Sequence, residues 1–120
     1  MLREERARMA AAIYADRRDR DLLFAGYGDG LGEPAWDMLL LLYVRDAAGL
    51  PVTAGDLVAA TGRPAELAWP FLGWLKSQNL IALAGIGREA DDAVTLQDEG
   101  RTLMDAYLDR RGDKGRGRTH

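Results

Sequence analysis

The chain of 120 residues is 48% hydrophobic and 29% charged, long enough for one compact domain that buries a core without covalent staples. It has no cysteine, which removes disulfides and thiolate zinc sites and fits a reducing, cytoplasmic setting. The longest apolar run, Met38–Val44, falls far short of the ~20 residues that cross a bilayer, and the charged N-terminal stretch does not resemble a secretory signal. The net charge of −3 is unevenly spread: residues 1–20 carry six Arg against four acids, and residues 110–120 five Lys/Arg against Asp113. Between them, residues 21–109 hold five basic side chains against 14 acidic ones. Nucleic-acid affinity rests mainly on neutralised phosphates, so an acidic centre with basic ends is an awkward profile for a DNA binder.

Residues 2–20 read as a helix, with Leu2, Met9, Ile13 and Tyr14 at helical spacing among Arg, Glu and Ala. The apolar stripe is thin, so this helix needs a partner surface. The stretch Gly26–Gly32, with glycine at every second position, reads as a flexible connector; a phosphate-binding loop would want a preceding strand and a Lys-Ser/Thr or dinucleotide spacing, and has neither. Glu33-Pro34 opens a strongly apolar helix over 35–48, with proline in the first turn and Gly49 as its stop. So many apolar positions imply burial on several sides, which makes this the central helix.

Thr53 precedes Ala54-Gly55-Asp56 at capping-box spacing, and a short helix over 54–60 turns Leu57 and Val58 inward. Thr61-Gly62-Arg63-Pro64 then forms a turn before a second helix that runs to about Asn79. Helix, glycine-containing turn, helix is the pattern of a helix-turn-helix. Strands at 80–84 and 94–96, joined by a polar turn at 85–93, predict a β-hairpin, or wing. Asp98 caps a last helix over 99–111, and the Gly- and Arg-rich segment 112–120 reads as a disordered tail. The expected fold is mainly α with a small β-hairpin.

The lone histidine, His120, stands in that tail, so no Ser-His or metal-His arrangement can form and no cofactor is expected. Asp91-Asp92 and Asp98-Glu99 are ordinary solvated or helix-capping carboxylates. The chain does not read as an enzyme.

Four local phrases, in order, resemble MarR-like transcription regulators. These are Glu-Pro-Ala-Trp-Asp-Met-Leu-Leu at 33–40, Val-Thr-Ala-Gly-Asp-Leu-Val-Ala-Ala-Thr-Gly at 52–62, Asn79-Leu80-Ile81, and Leu-Gln-Asp-Glu-Gly-Arg-Thr-Leu-Met at 96–104. The resemblance covers about residues 20–110. It implies a homodimeric winged helix-turn-helix in one domain over 1–111, with dimerisation helices at 1–24 and 99–111 around a winged core at 33–97. It also implies DNA as partner and, in many members, a small and often aromatic effector between the two layers. Tyr14, Phe24, Tyr27, Trp36 and Tyr43 are the aromatics such a cleft could draw on, although core and dimer packing is the commoner fate of such residues.

The reading surface departs from that pattern. At about 100° per residue, Ala68, Phe71, Leu72 and Leu75 fall on the core side of the second motif helix. The opposite side collects Glu66, Leu67, Pro70, Gly73, Trp74 and Ser77, where similar regulators place Arg at the positions matching Pro70 and Trp74. The wing tip offers Arg88 against Glu89, Asp91 and Asp92, a net repulsion beside phosphate. Two readings follow. In one, Arg63, Glu66, Lys76 and Arg88 are the DNA-facing residues, with the basic ends gripping phosphate. In the other, Leu67, Pro70 and Trp74 form an apolar patch that binds a protein partner. Trp69 and Trp74 can also fold down as the rim of the core. A mid-helix Pro70 predicts either a bend there or a regular helix that begins near Trp69.

Overall fold

A computed structural model describes residues 2–30, 32–85 and 89–116. The chain forms α1 (Arg3–Leu23), a 3₁₀ turn (Ala25–Gly30), α2 (Glu33–Ala48), α3 (Ala54–Ala60), α4 (Ala65–Ser77), β1 (Ile81–Leu83), β2 (Val94–Leu96) and α5 (Asp98–Arg116). Helices α2, α3 and α4 pack around the antiparallel β1–β2 hairpin, and α1 lies along α5 as a second layer. No described helix is long and apolar enough to cross a membrane.

Helix α2 is the hub. Pro34 sits in its first turn, where a missing N–H costs nothing. Gly49 ends it at φ +70°, while Gly49 N donates to Asp46 O at 3.1 Å and Leu50 N to Arg45 O at 2.9 Å. Its Met38, Leu39 and Leu42 are buried with Leu57 of α3, Leu72 and Leu75 of α4, Leu80 and Ile81 at the wing base, and Met104 of α5. Each such side chain contributes about 1.5–3 kcal/mol of burial.

Two sequence expectations are corrected. The glycine-rich 26–32 segment predicts a flexible connector, but Ala25–Gly30 is a 3₁₀ turn. The reason is aromatic: Phe24 is buried, and Tyr27 packs on it with ring centroids 6.0 Å apart. The composition predicts a disordered tail from residue 112, but α5 passes through Gly112 to Arg116; residues 117–120 lie outside the described residues. Gly112 and Gly115 each cost the helix only about 1 kcal/mol, too little to end it there.

Helix α1 is barely covered. Leu2, Met9, Ile13, Tyr14 and Leu22 are exposed, and Asp16 is its one buried residue.

Candidate nucleic-acid interface and interlayer cleft

The helix-turn-helix is built by local chemistry. Thr53 N donates to Asp56 Oδ2 at 3.0 Å and Asp56 N to Thr53 Oγ1 at 3.1 Å, closing the capping box at the start of α3. The Thr53 N–H holds the Asp56 carboxyl below the usual carboxylate range. In the turn, Gly62 adopts φ +66°, and the buried Thr61 bonds Val58 O through Oγ1 at 2.8 Å. These contacts set α4 against the core through Ala68, Leu72 and Leu75. Asn79 leaves α4 at φ +63°, the left-handed conformation that asparagine tolerates, and Leu80 N reaches back to Leu75 O at 3.2 Å.

The wing is anchored at its base. β1 and β2 pair Ile81 with Leu96 and Leu83 with Val94, and Val94 N also donates to Val52 O at 2.9 Å. Gly55 N donates to Ala90 O at 2.9 Å, and a Cβ on Gly55 would stand 3.1 Å from Ala90. Only a very small residue lets the wing close over the start of α3.

Residues 66, 67, 70, 73 and 77 of α4 face solvent, as the helical angles predict, and Leu67 is 58% exposed. Arg63 and Lys76 are exposed near either end of this surface. Arg63 also draws on the half-buried Asp37 of α2, whose pKa is raised first by burial, then by Glu33, against the pull of Arg63. Arg88 lies outside the described residues; of its acidic neighbours, Glu89 and Asp91 are exposed. Trp74 and Trp69 are half-buried and pack on the core, so they are core rim as much as patch. Helix α4 is continuous through Pro70, which settles its start at Ala65 rather than near Trp69. The Glu66 carbonyl there has lost the N–H that residue 70 would have supplied.

A second site lies between the layers. A cleft of about 350 Å³ is lined by Ile13, Asp16, Arg17 and Arg20 of α1, Glu33, Trp36 and Leu40 of α2, and Tyr107, Leu108 and Arg111 of α5. Trp36 and Tyr107 meet edge to face with centroids 4.9 Å apart. The Arg20 guanidinium stands 5.5 Å from the Trp36 ring centre and donates to Glu33 Oε1 at 3.0 Å. Arg111 of α5 pairs with the buried Asp16 of α1. Farther along the layer boundary, Tyr43 Oη donates to Asp105 Oδ1 at 2.5 Å, and that carboxylate pushes the Tyr43 hydroxyl up.

Of the five aromatics that the sequence offers for an effector cleft, Trp36 alone lines this one. Phe24 is core, Tyr27 packs on Phe24, Tyr43 bonds Asp105, and the exposed Tyr14 has the Arg18 guanidinium 5.6 Å from its ring centre. Sequence reasoning missed Arg17, Arg20, Arg111 and Tyr107. The available signal was the spacing of Ile13, Arg17 and Arg20 at i, i+4, i+7, the thin stripe itself.

No profile of a known protein family matches the sequence, and no curated protein matches it. Among solved structures, the chain is similar to transcriptional regulator Tm0710 from Thermotoga maritima, at 11% identity and TM-score 0.66 over 93% of this chain and 75% of that one. It is similar to MepR of Staphylococcus aureus in complex with DNA, at 18% identity and TM-score 0.65 over 92% and 84%. The same protein bound to ethidium gives 17% and 0.63 over 97% and 79%. A MarR-family transcriptional regulator from Silicibacter pomeroyi gives 15% and 0.57 over 93% and 74%. Among the described residues, five helices around a two-stranded wing, in this order, are the winged helix-turn-helix fold of the MarR-type regulators.

Proposed function

We propose that the chain is a homodimeric, cytoplasmic MarR-like transcription regulator that binds DNA through an atypical acidic and apolar reading surface and responds to a small aromatic effector. It acts by binding and not by catalysis. The observation that carries this reading is α4, docked by its capped and glycine-turned partner helix with one full side in solvent, in the fold of MepR, which has been solved with DNA. Support for the dimer comes from the exposed Leu2, Met9 and Ile13 on a helix too thinly packed to stand alone.

Phosphate binding is testable by salt. If Arg63 and Lys76 of two protomers each neutralise a phosphate, the affinity falls roughly 150-fold between ~50 and ~200 mM salt. Titration against the protein's own upstream region at both salts checks this. Absence of binding at the lower salt sinks the DNA reading.

A second reading is favoured by one observation, the exposure of Leu67 beside Pro70 with no Arg between them. It makes Leu67, Pro70 and the rim of Trp74 a patch for a protein partner. Because Trp74 packs on the core, Leu67→Arg is the cleaner discriminator: it strengthens DNA binding under the first reading and abolishes partner binding under the second.

A further inference from the structure

We infer that the solvent side of α4 docks on α4 of a second copy of the chain, antiparallel and across a two-fold axis near position 71. The residues on that side are complementary to themselves when the helix is reversed. Glu66 and Lys76 stand at equal distances from position 71, both exposed and neither in an ion pair among the described residues. Leu67 and Trp74 are centred on nearly the same point, and so are Pro70 and Gly73. At about 100° per residue, Leu67 and Trp74 share one flank of this side, and Glu66 and Lys76 lean to the other. A two-fold axis keeps each flank on its own side of the pair, and whatever residue i makes with j, j makes with i. Leu67 therefore meets Trp74 of the second copy, Glu66 meets its Lys76, and each contact occurs twice. At the crossing, a Cβ on Gly73 would have open space around it, so the two helices can approach closely there.

Charge selects the occupant. A partner of one sign would leave either Glu66 or Lys76 opposed, whereas a reversed copy presents a base to the acid and an acid to the base. The inference rests on the protein-patch reading of Leu67, Pro70 and Trp74, and names the chain itself as the protein they meet. It is separate from the proposed dimer contact through α1, which packs along α5 in the other layer. A reading helix covered by a second copy cannot enter a groove, so self-contact and DNA compete for one surface.

The chain has no cysteine, so one introduced thiol reports one contact. Two single helix faces bury less than the roughly 1,200 Å² that bounds weak interfaces, so the contact is transient at micromolar concentration and is read by trapping. Pro70→Cys, beside the axis, is compared with Ala47→Cys, exposed near the end of α2, under mild oxidation of the full chain. Corrected for each thiol's rate with a small disulfide reagent, Pro70→Cys should form covalent dimer about tenfold faster than Ala47→Cys, at a rate that rises with concentration. Adding Lys76→Glu sets two pairs of like charges against each other and should slow trapping about tenfold. Adding Glu66→Lys as well reverses both charges and should restore it, with all variants folded by circular dichroism. The inference is overturned if Pro70→Cys is trapped no faster than Ala47→Cys, if Lys76→Glu leaves its rate unchanged, or if the double reversal does not restore it. Leu67→Arg then keeps the two readings apart. Without trapping, tighter DNA binding by Leu67→Arg refutes the protein patch altogether, and loss of binding to a different protein refutes only the second copy as its partner.

Discussion

Pro70 stands at the sixth position of α4, in the exposed side of a helix that continues unbroken to Ser77. An internal proline removes one i→i−4 hydrogen bond, here to the Glu66 carbonyl, and its ring crowds that carbonyl, for a cost of ~3 kcal/mol. In return it narrows the unfolded ensemble, worth about 0.4–1 kcal/mol. Because Pro70 is exposed, Pro70→Ala forfeits little packing, and the balance is a gain of about 2 kcal/mol. With a urea slope of about 1–3 kcal/mol/M, the unfolding midpoint should rise by roughly 1 M at unchanged slope. Far-UV circular dichroism in urea, at one protein concentration for both forms, measures it; a fixed concentration matters because a dimer's stability depends on it. A midpoint that stays or falls would refute the account, and would mean that α4 has already relaxed around the ring at no cost.

Three further outcomes are expected. Gly100→Ala places a Cβ 2.5 Å from Leu80 O and 3.0 Å from Leu96 Cδ1, so the start of α5 must move off the wing base. The expected cost is about 1–3 kcal/mol, read as a lowered thermal midpoint. Met9→Asp with Ile13→Asp should turn a dimer into a monomer by light scattering at high micromolar concentration, and a wild type that is itself monomeric would dispose of the dimer. For Asp56, the folded pKa is depressed, so its contribution is present above the ordinary carboxylate value and is lost as pH falls through the lower folded one. The stability gap between wild type and Asp56→Asn should therefore shrink as pH falls through the ordinary carboxylate value and below it; a gap that holds constant would mean that the charge plays no part.

What could be seen in the sequence is what neighbouring residues decide among themselves. Thr53 and Asp56 cap α3 across three positions, Gly62 supplies the turn's positive φ, and the burial of Ala68, Leu72 and Leu75 follows helical angle alone. The same angles put Leu67 and Pro70 in solvent without knowledge of the tertiary fold. Trp74 shows the limit: its angle puts it toward the solvent side, yet a side chain that large reaches back to the core. The cleft was invisible for a different reason. Asp16 and Arg111 are 95 residues apart, and no local pattern announces that α1 will lie along α5 with their charges matched. Arg17 and Arg20 looked like the solvated side of a surface helix, and only the packing of Trp36 beneath Arg20 turns that side into a wall.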